Sequence, residues 1–364
     1  MRRAFKIAAM FLAAGIWTSC SDDSSSSPIG PDSGFETDEG ISSDDSGTSS
    51  TGNASSSSDT PASSSSKQGT AGSSAEEGGG GSVSDGITPY VDANGDTAYI
   101  PAGFAVSEKA GETEIRTGLV VIGPDGSEFV WIPTTQTELK VRDFGSYFSG
   151  GSIEDYSDET DLPAYKSMLK SVHFYNGFYM GRYEASFGSG SSLDDYVPAS
   201  KPVTPENPGR IWVQFSPQDA TVAAANLYGD NATVQGFFPW GINWDTMLQW
   251  LIDSGAKTED EVLRNSTPWG NYSDDEFSAG ANGAYTGLYE EASANNIYDL
   301  AGNNWEWTQE RNGSSYVMRG GGYNLMGGAC SGSRYPAVIR DPLPGNDHHP
   351  NVAFRVGLFL TVQE

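Results

Sequence analysis

The hydrophobic positions of this chain fall mainly after residue 88, where they form short clusters separated by turn residues. "TAYIPAGFAV" and "TGLVVIGPDGSEFVWIP" contain apolar runs of strand length, and the Pro-Asp-Gly turn in the second stretch predicts a hairpin. "VHFYNGFYMGRYEAS" alternates aromatic side chains and predicts another strand pair, while "NVAFRVGLFLTV" predicts a last strand near the C-terminus. The pattern therefore predicts several short β-strands.

Two segments have the period of an amphipathic helix. In "SPQDATVAAANLYG", Ser216 suits the N-cap, Pro217 suits the first helical position and Gly229 suits the stop. In "NWDTMLQWLIDSG" the large apolar residues share one face, and Gly255 suits the C-cap. Together with the strands, these helices predict an α+β domain with irregular connections.

The first twenty residues have the pattern of an export signal. Arg2, Arg3 and Lys6 precede an apolar run over residues 7–17, which is too short to span a bilayer. The end of this run at Cys20 resembles a bacterial lipobox, which implies removal of residues 1–19 and acylation of Cys20. We therefore expect a lipoprotein held at the outer membrane or cell surface. A soluble secreted protein with an unrelated cysteine is the alternative.

Composition divides the rest of the chain into two parts. Residues 20–87 are dominated by serine, glycine and acidic residues, and they hold too few large apolar side chains to offset the entropy of ordering. They predict a disordered linker between the anchor and the folded part. Residues 88–364 are rich in aromatic residues and glycine, and their length fits one folded domain.

The net charge argues against one class of ligand, and the cysteine content excludes an internal disulfide. The chain has 48 acidic and 20 basic residues, for a net charge of −28, which argues against nucleic acid because phosphate contacts need a basic face. Such a charge fits calcium, cationic or neutral partners and solubility outside the cell. Because Cys20 is expected to carry lipid, Cys330 is the one thiol left and no internal disulfide can form.

Several stretches of the folded part occur in the order found in one family. They are "FVWIP", "FYMGRYEAS", "SPQDA", "FFPWGINWD", "NIYDLAGNNWEW", "RGGGY" and "AFRVG". In these stretches the chain resembles the sulfatase-modifying-factor domain of the formylglycine-generating enzymes, a variant of the C-type lectin fold. The resemblance implies an irregular α+β fold with two main helices, short twisted antiparallel sheets and much loop.

The same resemblance bears on catalysis. Active members of this family bind copper(I) through two cysteines that follow the Arg-Gly-Gly segment, since soft thiolates suit that ion. Here Cys330 falls on the second cysteine and Leu325 on the first, so Cys330 marks a vestigial copper position. The resemblance thus implies no catalytic residue and no copper. A formylglycine-generating oxidase for sulfatase maturation, or another enzyme on this fold, stays open as an alternative.

The non-catalytic branch of the family suggests a binding role. Surface lipoproteins with this fold present a ligand-binding face on the segment after the Arg-Gly-Gly motif, where Tyr, Arg, Asn and Ser serve as adaptable contacts. The candidate ligand-binding residues here are Tyr323, Asn324, Arg334, Tyr335, Arg340 and His348. We expect an extracellular or periplasmic protein or glycan as ligand. A structural role in the cell envelope is a further alternative.

The family also implies a structural calcium ion at the turn before "WEW". Carried over to this chain, Asp299 and Glu306 would supply carboxylate oxygens, while Gly302 and Asn304 would supply backbone carbonyls, in keeping with calcium's preference for oxygen ligands. In the alternative, Asp299 caps the turn and Glu306 accepts hydrogen bonds from neighbouring backbone N–H groups. The tryptophans of "WEW" are expected to pack in the core.

Overall fold

The computed structural model describes residues 82–83, 85–144, 152–192, 194–278, 283–327, 335–345 and 348–363. They belong to a unit that extends over Gly79–Glu364. No helix within the described residues is long and apolar enough to cross a membrane. The predicted signal peptide, Cys20 and most of the predicted linker lie outside the described residues.

The described part is a mixed α+β structure with more strand segments than helices. Its helices are α1 (Pro163–Tyr175), α2 (Pro217–Asn226), α3 (Gly241–Asp253) and α4 (Glu259–Leu263). Its strands are β1 (Ser82–Val83), β2 (Thr88–Val91), β3 (Thr97–Ile100), β4 (Ala105–Val106), β5 (Val120–Ile122), β6 (Glu128–Pro133), β7 (Tyr156–Ser157), β8 (Gly177–Gly181), β9 (Ser186–Ser189), β10 (Val197–Ala199), β11 (Val234–Phe237), β12 (Ser293–Ala294), β13 (Ile297–Tyr298), β14 (Trp305–Asn312), β15 (Ser315–Arg319), β16 (Asp341–Leu343), β17 (Val352–Phe354), β18 (Gly357–Leu360) and β19 (Val362–Gln363).

A six-stranded antiparallel sheet in the order β11-β18-β8-β6-β5-β4 forms the centre. Successive side chains of a strand point to opposite faces, and here both faces are buried. Phe129 and Trp131 of β6 belong to one core cluster, and Val130 and Ile132 belong to the other. This double burial explains why "FVWIP" is apolar throughout rather than alternating with polar residues.

Different elements cover the two faces of this sheet. α1 and α3 contribute Met168 and Trp244 to the cluster on one face. α2 and β14 contribute Ala223 and Trp307 to the cluster on the other face. Burial of Trp305 and Trp307 confirms that the "WEW" tryptophans pack in the core.

A second sheet contains β14, the strand that follows the "DLAGNN" turn. Its strand order is β16-β15-β14-β17, and β7 also pairs with β14. β14 and β17 run parallel, with Trp305 opposite Val352, whereas the sequence predicted antiparallel sheets alone. Parallel neighbours need a long connection, and the chain between β14 and β17, which includes β15 and β16, supplies it.

The two predicted helices are present with small differences at their ends. Ser216 caps α2 by accepting a hydrogen bond from the Asp219 backbone N–H at 3.2 Å, as expected for a capping box. α2 ends at Asn226, before the predicted stop at Gly229, and Tyr228 just beyond it has a φ of 57°. Gly255 follows α3 with a φ of 77°, the left-handed conformation that glycine accepts easily.

Helix α1 corrects two sequence predictions, because the described residues contain more than two helices and because "VHFY" is not a strand. Its buried residues Tyr165, Met168, Val172 and Tyr175 recur every three or four positions, which is helical spacing. The helix ends at Tyr175 and is followed by the C-cap Asn176, whose φ is 55°. Of the predicted strand pair, only β8 forms within this stretch, because β9 begins at its last residue, Ser186, and pairs with β10 rather than with β8.

Candidate functional site

The "DLAGNN" turn joins β13 to β14 and bends sharply. Asp299, Gly302 and Asn303 have φ values of 59°, 70° and 55°, a region that glycine, asparagine and aspartate tolerate best. A Cβ atom at Gly302 would lie 2.2 Å from the Asn271 carbonyl oxygen, so only glycine fits. The turn thereby presses its backbone against a neighbouring segment.

Asp299 and Glu306, the two predicted calcium carboxylates, are both buried and both have protein partners. Asp299 Oδ2 accepts hydrogen bonds from Thr286 Oγ1 at 2.8 Å and from the Gly287 backbone N–H at 2.9 Å. Glu306 pairs with Arg355, whose Nη2 and Nε lie 2.6 and 3.1 Å from its two carboxylate oxygens. Neither carboxylate is free: Asp299 is held by Thr286 and Gly287, and Glu306 is held by the Arg355 side chain rather than by backbone N–H groups.

Glu184 joins this cluster, although the sequence analysis did not single it out. It is fully buried and accepts from Asn303 Nδ2 at 2.7 Å and from both the backbone N–H and Nδ2 of Asn304 at 3.0 Å. Burial, reinforced by the charges of Asp299 and Glu306, raises the pKa of the Glu184 carboxyl well above its usual range. A glutamate inside the aromatic stretch "FYMGRYEAS" was the available signal.

The four predicted calcium ligands therefore share one turn, but the turn does not offer free carboxylates. A calcium ion would have to replace Arg355 at Glu306 or the hydrogen bonds at Asp299. Within the described residues, no group of three His, Cys, Asp or Glu side chains is arranged to hold a metal ion. Calcium binding here stays a prediction.

A cleft of about 390 Å³ opens beside this turn. Its lining residues are Gly209, Arg210, Ile211, Val213, Gly283, Ala284, Asn304, Tyr323 and Pro350. Two predicted site residues meet in it: Tyr323 from the predicted ligand face and Asn304 from the predicted calcium turn. The Tyr323 backbone N–H donates to the Asn303 carbonyl at 2.7 Å, which fixes the tyrosine next to the turn.

The predicted residue His348 lies close to one wall of the cleft. Its Nδ1 is 3.1 Å from the carbonyl oxygen of Gln214, whose backbone N–H donates to the His349 carbonyl at 2.9 Å. Gln214 and His349 are chain neighbours of the lining residues Val213 and Pro350. These hydrogen bonds hold the segment that contains His348 against that wall.

The remaining predicted ligand residues do not line the cleft. Asn324 is exposed, and Tyr335 is half-buried with its ring edge-to-face against Trp305 at a centroid distance of 5.7 Å. Arg334 and Cys330 lie outside the described residues.

Arg340 corrects the predicted ligand face, because its side chain is inside the core and only 1% exposed. Its Nε donates to Glu310 at 2.7 Å, and its Nη2 also pairs with Asp245. Arg319 contacts the same two carboxylates, at 2.8 Å to Glu310 and 2.7 Å to Asp245. These four side chains, here called the arginine–carboxylate square, balance two positive charges with two negative ones.

Leu325, the residue expected from the resemblance to stand in place of a copper ligand, packs against the core and has backbone partners. Its side chain is half-buried against the core. Its carbonyl accepts hydrogen bonds from both the backbone N–H and the Oγ of Ser273, each at 2.8 Å. The position thus carries a packed hydrocarbon side chain.

No family model matches the chain, and no curated protein matches it. Solved structures do show similarity. PvdO from Pseudomonas aeruginosa is 15% identical with a TM-score of 0.39, covering 70% of this chain and 100% of PvdO. CarF is 14% identical with a TM-score of 0.33, covering 65% of this chain and 99% of CarF.

Variable protein 1 of Treponema denticola is 11% identical with a TM-score of 0.26, covering 75% of this chain and 99% of that protein. All three TM-scores are below 0.5, so these similarities carry no inference about the ligand or activity of this chain.

Proposed function

We propose that this chain is an exported lipoprotein whose folded part is a formylglycine-generating-enzyme-like domain serving as a non-catalytic ligand-binding module. Its ligand is an extracellular or periplasmic molecule, and its contact with the membrane is made through lipid on Cys20. The lipobox-like sequence before Cys20 supports the anchor, and the ordered family stretches support the fold.

The cleft beside the "DLAGNN" turn is the observation that carries the binding role. Its volume of about 390 Å³ lies within the range of small-ligand sites, which are concave and combine apolar walls with a few polar groups. Ile211, Val213 and Pro350 supply apolar surface, while Arg210 and Tyr323 supply polar groups. The buried contacts of Asn304 and its neighbours keep one wall rigid before any ligand arrives.

Ligand screening with matched variants tests this proposal. The purified full-length chain is applied to glycan and peptide arrays, and each positive probe is measured again with Tyr323→Ala. Val91→Ala is the control, because Val91 is 60% exposed and outside the cleft. Loss of binding in Tyr323→Ala alone supports the cleft. Equal binding by both variants places the ligand elsewhere and refutes it.

Titration of the purified chain with copper(I) distinguishes the oxidase alternative from the non-catalytic binding module. A copper(I) oxidase of this family needs two thiolates, and a leucine cannot act as a ligand. The packed side chain of Leu325 favours the non-catalytic function. We expect no tight one-to-one copper(I) binding, and a tight stoichiometric complex would favour the oxidase instead.

The structural calcium ion belongs to the same proposal and has its own test. A calcium ion bound only by the folded state stabilises that state. Removing it with a chelator should therefore lower the melting temperature by several degrees, and added calcium should restore it. Unchanged melting with and without chelator would remove calcium from the proposal.

Lipid anchoring is tested on Cys20. The wild-type chain should sediment with membranes and carry the mass of acyl groups on Cys20, because several acyl chains hold a protein stably. Cys20→Ser should be released into the soluble fraction. If the wild-type chain also appears in the soluble fraction, the lipid anchor is contradicted, while the proposed binding role of the cleft is unaffected.

A further inference from the structure

Two of the described arginines, Arg116 and Arg210, differ from the others in their side-chain partners. Every arginine that the structure describes, apart from Arg116 and Arg210, forms a side-chain ion pair or hydrogen bond with a described carboxylate or carbonyl. Those with partners are Arg142, Arg182, Arg264, Arg311, Arg319, Arg340 and Arg355. Arg116 and Arg210 are exposed, and each of them lines a different cleft.

The backbone of Arg210 is fixed although its side chain is exposed. Its carbonyl accepts a hydrogen bond from the Phe187 backbone N–H at 3.1 Å, and the next residue, Ile211, forms a bridge with Ser186 of β9. Arg210 therefore extends from a segment tied to a strand, which limits how far its guanidinium can move from the cleft.

The charge of this cleft differs from that of the chain. The chain carries −28 overall, yet no described residue that lines the cleft has a carboxylate, and Arg210 is its charged group. The cleft that contains Arg116 has about the same volume but also includes Asp96, Glu138 and Asp253. Among the described lining residues, an anionic group that enters the Arg210 cleft meets a guanidinium and no carboxylate.

Asn304 defines a second requirement for the ligand. Both hydrogens of its amide nitrogen are used within the protein, by Glu184 and by the Gly283 carbonyl. No described residue donates to its Oδ1, so this lining residue offers an acceptor to a hydroxyl or N–H of the ligand. The apolar wall formed by Ile211, Val213 and Pro350 suits the C–H face of a sugar ring.

From these features we infer that the ligand of the cleft is an acidic saccharide whose carboxylate pairs with Arg210. This rests on the proposed binding function and names its ligand class. A guanidinium binds a carboxylate through two parallel hydrogen bonds, while Tyr323 and Asn304 bind hydroxyl groups of the same sugar. A saccharide is favoured over an acidic peptide because the lining combines a sugar-compatible apolar wall, a hydroxyl and a free amide acceptor.

The experiment uses three acidic probes: oligogalacturonate, hyaluronan oligosaccharide and sialyllactose, each with its methyl ester as a neutral counterpart. Binding of the full-length chain is measured by titration calorimetry. We expect at least one acid to bind and its ester to bind about ten to a hundred times more weakly, the loss typical for a hydrogen bond to a charged group. Binding should also weaken as salt increases.

Variants then assign the effect to Arg210. Arg210→Met should reduce affinity for the acid about tenfold or more. The affinity of Arg210→Lys should lie between those of Arg210→Met and the wild-type chain, because lysine keeps the positive charge but cannot form the two parallel hydrogen bonds of a guanidinium. Arg116→Met is the matched control and should bind like the unmodified chain. Since Arg210 is exposed, unchanged melting temperatures should show that each variant is folded.

The other outcomes overturn the inference. Equal binding of acids and esters, or full affinity in Arg210→Met, refutes the role of the carboxylate. Binding of an acidic peptide such as poly-glutamate in place of all three saccharides refutes the saccharide class. If only a neutral ligand binds and Tyr323→Ala abolishes its binding, this inference fails while the proposed function stands; if no array probe binds, both fail.

Discussion

Replacing Glu310 with glutamine tests the arginine–carboxylate square, which packs against α3 and β15 in the interior. Glu310 accepts from Arg319 at 2.8 Å and from Arg340 at 2.7 Å, and its side chain is only 1% exposed. Glutamine has nearly the same shape but no charge. The variant therefore leaves two buried guanidinium groups with Asp245 as their sole carboxylate in the square.

The expected loss follows from this uncompensated charge. Removing one partner of a buried ion pair costs about 3–5 kcal/mol, because the remaining charge stays desolvated. One amide hydrogen of the new glutamine would also face a guanidinium that has no acceptor to offer. Against a total stability of about 5–15 kcal/mol for a typical folded domain, this single atom change should remove a large share.

Urea unfolding followed by tryptophan fluorescence is a suitable assay, with the midpoint and slope fitted for each variant. Arg264→Met is the control, because the Arg264–Asp260 pair is 67% exposed on both sides. An exposed pair contributes at most about 1 kcal/mol. The control should therefore unfold close to the unmodified chain.

A balanced double variant separates charge from packing. Glu310→Gln combined with Arg340→Met leaves Arg319 and Asp245 as one neutral pair, so its loss should be clearly smaller than the sum of the two single losses. Additive losses, or a Glu310→Gln variant within about 1 kcal/mol of the unmodified chain, would refute the charge argument.

Three further changes can be measured in the same way. Burial beside Glu310 raises the pKa of Asp158 to about 7, so its contribution to stability is complete below pH of about 4 and is lost as pH rises to about 7. Asp158→Asn should therefore gain stability relative to the unmodified chain between those pH values, and a pH-independent difference would contradict this. Gly302→Ala should lower the free energy of unfolding by at least about 2 kcal/mol more than Gly255→Ala does. Both glycines have positive φ, but only Gly255 has open space around its Cβ position. Equal urea midpoints for the two variants would contradict this prediction. Ser216→Ala should cost about 0.5–2 kcal/mol through loss of the α2 cap, and thermal melting with no shift would show that the cap contributes nothing.

Strand patterns predicted the centre of the fold, because the runs "VVI" and "FVWIP" form β5 and β6 around the predicted turn. Helix α1 was missed because its last turn ends in the aromatic residues Phe174 and Tyr175 and runs directly into β8, which made the stretch resemble alternation. The final apolar run is also divided, since Arg355 turns inward to Glu306 between β17 and β18. Local pattern cannot show where a buried partner interrupts a strand.

The candidate site shows the same limit. The positions of Asn304 and Tyr323 were predictable because the turn and the Arg-Gly-Gly motif are contiguous in sequence. Glu184 and Arg210 were not singled out, because more than ninety residues separate each from Asn304 or Tyr323 and only the folded chain brings them close. Arg340 was wrongly predicted to be a ligand-binding residue, because the sequence does not show that it pairs with the buried carboxylates of Asp245 and Glu310.

The first strand of the folded unit has a mechanical consequence. β1 is held to β19 by two residue pairs, Ser82 with Gln363 and Val83 with Val362. If the N-terminus is anchored while a ligand is held, the pulling force acts first on the pairing of β1 with β19. Because this pairing consists of only two residue pairs, it would separate before the six-stranded sheet does. Releasing residues 82–87 would lengthen the connection by at most about 20 Å, the full extended length of six residues. The ladder would thus act as an extensible joint that absorbs a first pull and leaves the cleft undistorted.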